Sequence, residues 1–178
     1  AKGMRIQSVP GDSTRPITDR AKEALFNIIG NDLIGSTWLD CFGGTGRVSI
    51  EALSRGANST TIIDLHPMAI KTIKQNLIQT KFSMQSVVIK TNTLNFLKGN
   101  PVKNFDYIFI APPQYKGLWE ETITILNENP DWLSEDGWII VQIHPIEYKS
   151  LNLKNFREFD QRKYGSTLFI FYQKPSEE

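Results

Sequence analysis

The run LDCFGGTGRVSIEALSRG, residues 39–56, restricts the fold of this chain more than any other stretch. An apolar segment, 37–42, ends in Gly43-Gly44-Thr45-Gly46, and a segment with helical spacing, 46–55, follows and closes at Gly56. Strand, glycine turn and helix in that order begin a unit whose strand pairs in parallel with another through a crossover. The glycines let the backbone turn tightly and come close to a ligand, with helix N–H groups pointing at it.

The rest of the chain keeps the same alternation. Thr18 is placed to cap a helix carrying Ala21, Ala24, Leu25, Ile28 and Ile29 on one face, ended by Gly30. A second strand is expected over 60–63. Pro67 then opens a helix with Ile70, Ile73 and Leu77 at helical spacing. Further strands are expected over 86–89, 106–110 and 138–143, with a helix over 117–127 carrying Leu118, Ile123 and Leu126 inward. Two β-prone stretches, 156–159 and 167–172, close the chain with no helix between them, the pattern of an antiparallel hairpin at a sheet edge. Strands apolar on both faces and alternating with helices define an α/β fold with a doubly wound, mostly parallel sheet. With 178 residues and neither linker nor repeat, a single domain over 1–178 is expected.

Ligands of such sheets bind outside the carboxyl ends of the strands. Three details bear on which ligand. No Gly-Lys-Ser/Thr follows the loop, so it is not a P-loop. Ser49 stands where a dinucleotide fingerprint wants a third glycine or alanine. Asp40, inside the strand, suits a ligand with a positive group, such as an amino-acid moiety, better than a pyrophosphate; this favours S-adenosylmethionine. Asp64 ends the second strand, where a carboxylate accepts from ribose hydroxyls or simply closes a turn. Asn92 and Thr93 follow the third strand, placed either to meet an adenine edge or to cap a helix.

Hydrophobic residues make up 40% of the chain and charged ones 22%, which supports a packed core. Net charge is +1, so overall charge does not identify a polyanionic partner. Distribution says more: residues 65–105 hold Lys71, Lys74, Lys81, Lys90, Lys98 and Lys103 without an acid. Residues 117–147 hold seven acids without Lys or Arg. Such a dipolar molecule either turns one side to nucleic acid or carries solvated helix faces. Cys41 is the one cysteine, which excludes a disulfide framework and a cysteine-based zinc site. His66 and His144 lack an acidic cluster at ligand spacing, so no metal is expected. No apolar run approaches membrane-span length, and a monomeric protein of a reducing interior, cytoplasmic or in an organelle stroma, is expected.

STRPITDRAKEALFNIIG (13–30), LDCFGGTGRVSIEALSRGA (39–57), the prolines after the fourth strand and YGST (164–167) together resemble the RsmD-like family. Its members methylate N2 of a guanine in small-subunit ribosomal RNA. The resemblance covers about 3–174. It implies a seven-stranded Rossmann-like methyltransferase sheet with S-adenosylmethionine above it and ribosomal RNA or the small subunit as partner. It implies that Asp40, Gly44 and Gly46 hold the methionine end of the cofactor, Asp64 the ribose, and Asn92 (where the family usually has Asp) the adenine. Gly43 replaces a usual alanine, a change expected to be harmless. Residues 1–30 are implied to cover the cofactor site, with Thr14-Arg15-Pro16 and Arg20 contacting the methionine end or an RNA phosphate. Residues 2–10 are what stands here of a basic strand in the family.

The family's catalytic segment is Asp or Asn, Pro, Pro, then Tyr or Phe. The polar side chain and the first proline's carbonyl accept hydrogen bonds from the target amine, and the aromatic ring stacks on the base. Here the segment reads Ala111-Pro112-Pro113-Gln114-Tyr115. Pro112 and Pro113 are retained. Ala111 brings no acceptor, so Gln114 becomes the candidate replacement and Tyr115 the candidate stacking ring one position late. Lys116 and Trp119 follow, as a cation and an aromatic fit to meet a flipped base, or, for Trp119, as helix core. The alternatives to a guanine-N2 methyltransferase are a non-catalytic RNA-binding or ribosome-assembly protein on the same fold, and a methyltransferase for another substrate.

Overall fold

The structure is a computed structural model and describes residues 17–114 and 116–176 of the chain. Seven strands form one sheet: β1 (Thr37–Asp40), β2 (Ser59–Asp64), β3 (Ser86–Lys90), β4 (Phe105–Ile110), β5 (Leu133–Ile143), β6 (Arg157–Tyr164) and β7 (Thr167–Gln173). Their order is β3-β2-β1-β4-β5-β7-β6. The first five are mutually parallel, whereas β7 is antiparallel to both β5 and β6. The order reverses between β1 and β4, which places the switch point beside the glycine loop.

Among the described residues five α-helices lie on the two faces: α1 (Asp19–Ile29), α2 (Arg47–Ser54), α3 (Pro67–Thr80), α4 (Thr93–Lys98) and α5 (Leu118–Glu128). Local chemistry sets their ends. Thr18 Oγ1 accepts from the Ala21 amide at 3.1 Å and Gly30, at φ 66°, ends α1. Pro67 opens α3, where its missing N–H costs nothing. Alternation along the strands divides the core in two. Trp38, Ile62, Phe109, Ile140, Phe169 and Phe171 face α1, α2 and α3. Leu39, Ile63, Ile108, Ile110, Ile139 and Ile170 face the other way, toward α4 and α5.

The expected elements are all present, with instructive shifts. α4 exists as a helix where only a cap at Asn92 was foreseen. Strand β3 is not apolar on both faces: it lies at the sheet edge and leaves Val87 54% exposed. β5 begins at Leu133, five residues before the expected start, and its pairing with β4 is irregular. Gly137 allows that irregularity, since a Cβ there would sit 2.8 Å from the Asp106 carbonyl. In α5 it is Trp119 that is buried, with Leu118 only partly so; Trp119 is core and is not offered to a base.

Candidate active site

The glycine loop leaves β1 at the sheet's centre and is fixed from several sides. The Gly43 amide donates to the Ile63 carbonyl at 2.8 Å, and the Gly46 amide to the Gly43 carbonyl at 2.8 Å. Gly44 and Gly46 adopt φ of 58° and 81°, which other residues adopt at a cost. A Cβ on Gly44 would have nothing within 4 Å among the described residues, so this turn borders space open among them. Gly43 is different. Its Cβ would lie 2.4 Å from Ile62 Cγ2, so in this packing Ile62 occupies the space that a methyl group at position 43 would need.

Asp40, the last residue of β1, is buried. Its Oδ2 accepts from the Ser49 hydroxyl at 2.8 Å, while Oδ1 has no hydrogen-bond partner among the described residues. Burial pushes the carboxyl up from an ordinary value of 3.8 to about 7. The Ser49 hydroxyl opposes that rise, the charge of Asp64 adds to it, and the Phe42 backbone amide opposes it. A buried carboxylate with one unpartnered oxygen, next to a glycine turn open to space, is built to receive a cation with hydrogens to donate.

Asp64 ends β2 with both oxygens engaged: Oδ2 accepts from the Gly44 amide at 3.0 Å and Oδ1 from the His66 amide at 2.9 Å. It is thus both the turn-closing acid and a fastener of the glycine loop. Its half-exposed oxygens keep further lone pairs for hydroxyl donors. Asn92 is the N-cap of α4, its Oδ1 accepting from the Asn95 amide at 3.1 Å. Thr93 is buried and its hydroxyl donates to the Cys41 carbonyl. Its hydroxyl therefore positions the exit of β1.

Sequence reasoning passed over several contributors. Ser49 looked like a departure from a dinucleotide fingerprint, yet it is the hydroxyl that satisfies half of Asp40. Asn76, fully buried on α3, donates through Nδ2 to the Thr45 carbonyl at 2.9 Å and holds the loop from above. Its signal was a polar residue in the apolar spacing Ile73, Asn76, Leu77, Thr80. Arg47 pairs with Asp19, and Lys22 with Glu51 at 3.3 Å, so the first turn of α1 is tied to the start and the middle of α2. Arg20 stands exposed on that same turn.

The exit of β4 meets this loop because Asp40 pairs with Phe109 and the Cys41 amide donates to the Phe109 carbonyl at 3.0 Å. Ala111 packs on the core face shared with α1 to α3, Pro112 is buried, and Pro113 and Gln114 are half-buried, with Gln114 in a turn. Lys116 is exposed. Tyr115, Thr14, Arg15, Pro16 and residues 2–10 lie outside the described residues. Among the described residues no group of three or more His, Cys, Asp or Glu is placed to hold a metal ion. No helix among them is long and apolar enough to cross a membrane.

A central parallel sheet with one reversed strand, a glycine loop after β1 and acids ending β1 and β2 is the Rossmann-like methyltransferase fold. The same architecture occurs in the S-adenosyl-L-homocysteine complex of a SAM-dependent methyltransferase from Thiobacillus denitrificans, at a TM-score of 0.56 and 20% identity over 72% of this chain and 50% of that one. Within that class the chain belongs to the RsmD-like family: the family described as conserved hypothetical protein 95 matches residues 1–173. Ribosomal RNA small subunit methyltransferase D of Haemophilus influenzae is 36% identical over 97% of this chain and 89% of its own length. The Escherichia coli protein of the same name is 34% identical over 79% of this chain and 70% of its own. The solved structure of yhhF from E. coli superposes with a TM-score of 0.83 at 30% identity, over 98% of this chain and 94% of that one.

Proposed function

We propose that the chain transfers a methyl group from S-adenosylmethionine to N2 of a guanine in small-subunit ribosomal RNA. The observation that carries the reading is the unpartnered Oδ1 of buried Asp40 beside the open glycine turn, a fit for the ammonium of the cofactor's methionine end. Asp64 takes the ribose, Asn92 and the segment at Thr93 border the adenine, and Arg20 meets the methionine carboxylate or an RNA phosphate. The names of the relatives supply the substrate class. This reading puts the protein in the cytoplasm, where ribosomal subunits are made.

When bound, S-adenosylmethionine supplies an electrophilic methyl on a positively charged sulfur. This chain's part is to orient the amine in line with it and to exclude competing poses. The Pro112 carbonyl accepts from the amine as positive charge develops on nitrogen. Pro113 keeps the backbone extended, so that this carbonyl faces outward. Gln114 and Tyr115 contact the base.

Transfer of tritiated methyl from S-adenosylmethionine to undermethylated small ribosomal subunits tests the reading, with calorimetric binding of the cofactor beside it. Label in the RNA is expected at a guanine N2; no cofactor binding refutes the reading. RNA binding without transfer is the second reading, motivated by Ala111, and its signature is retained cofactor affinity with no label in RNA.

A further inference from the structure

Position 111 is where the family presents a polar side chain to the amine, and here it holds a methyl group. The sheet register shows what lies next to it. Ile110, the last residue of β4, pairs with Val141, so Ala111 and Gln142 are the next residues along two chains that run parallel, and strands of such a sheet lie about 4.8 Å apart. They also share a face. Ala111 packs on the core that faces α1 to α3; Gln142 is two residues from Ile140 and pairs with Phe169, both of that same core. Asp40, bonded to Ser49 of α2, belongs to this face too. The Gln142 side-chain oxygen is buried and has no hydrogen-bond partner among the described residues.

We infer that Gln142, on the strand beside the Pro-Pro exit, supplies the hydrogen-bond acceptor that Ala111 lacks. This rests on the methyltransferase reading above. An unpartnered buried carbonyl is costly to the folded chain, and a ligand donor at that point repays the cost. Gln114 is less well placed: it follows two prolines and sits in a turn, whereas Gln142 stands on a rigid strand level with position 111. In the reaction the N–C bond forms as the C–S bond breaks, and the electron pair stays with sulfur as a neutral thioether. The nitrogen, briefly cationic, is held by the Pro112 carbonyl and Gln142 Oε1 until its surplus proton passes to water.

The test is a double-mutant cycle between Gln142→Met and Ala111→Asn, read as tritiated methyl transfer to undermethylated small subunits. Gln142→Met keeps the volume and removes the acceptor. It is expected to lower kcat about 10²-fold or more, to leave S-adenosylmethionine affinity unchanged, and to hold or raise the melting temperature, since an orphaned polar atom is gone. Ala111→Asn is expected to restore at least about tenfold in the Gln142→Met background and to add less than that to the unmodified chain. Gln142→Glu, which keeps an acceptor, stays within about tenfold of the parent. Unchanged kcat in Gln142→Met, or a loss that Ala111→Asn does not restore, overturns the assignment while leaving the methyltransferase reading in place. Absence of transfer by the unmodified chain overturns both.

Discussion

At the scale of single residues, Asp40 joins stability, pH and ligand. Its folded value of about 7 lies above the ordinary 3.8. Between those values the folded chain keeps a proton that the unfolded chain has released, so stability falls as pH rises through this window and is lowest above about 7. The ionised form costs on the order of 4 kcal/mol, at 1.36 kcal/mol per unit. A cationic ligand on Oδ1 reverses the preference. S-Adenosylmethionine binding at pH 6 is therefore expected to release about one proton and to strengthen as pH rises toward 7. Calorimetry in buffers of different ionisation enthalpy reads the proton. Asp40→Asn should abolish its release, flatten the pH dependence of stability and weaken binding roughly 10- to 100-fold, the worth of a charged hydrogen bond. Gly43 makes the second residue-level case. Gly43→Ala is expected to cost about 1–3 kcal/mol in urea denaturation, because the new methyl meets Ile62. Asp40 was legible in the sequence because a carboxylate inside an apolar strand is expensive and so carries a purpose. The tightness at Gly43 was not, because Ile62 reaches it only through the pairing of β1 with β2.

At the scale of elements, the site is a set of loops pinned by their neighbours. The β1 exit is held by Thr93 at the start of α4, and the glycine turn by Asn76 on α3 and by Asp64 at the end of β2. Asn76→Ala removes a buried donor and leaves the Thr45 carbonyl short of a partner. A loss of about 1–3 kcal/mol in stability is expected, together with a higher KM for S-adenosylmethionine and a kcat that changes far less, since in the proposed function the loop binds and does not react. Unaltered KM in steady-state assays would show that the loop needs no such anchor. Helix ends were well read from sequence, because Thr18, Gly30 and Pro67 act within one turn of themselves. Asn92 illustrates the limit of local reasoning: cap and ligand contact require the same residue at the same place, and only the observed bond to Asn95 shows that the cap is made.

At the scale of the whole molecule, the alternation of strands and helices announced the parallel sheet, and the helix-free end announced the reversed hairpin. Strand order did not follow from that alternation, and with it went the neighbour relations across strands. Gln142 carried no signal as a residue in an apolar strand; it becomes significant only when β5 is laid beside β4 in register. Charge behaves likewise. A net charge of +1 gives no overall attraction to RNA, so binding has to come from cations placed around the site. Lys116, exposed just past the Pro-Pro exit, is the cation closest in sequence to the proposed catalytic segment. If it neutralises one phosphate, Lys116→Ala removes one released counterion. The slope of log affinity against log salt for ribosomal RNA should then shrink by about 0.7 to 0.9, with S-adenosylmethionine affinity unchanged. Replacing Lys103, exposed in the chain before β4, serves as the comparison. A slope altered equally by both would mean a diffuse positive field, and a slope altered by neither would place the RNA on another side of the sheet.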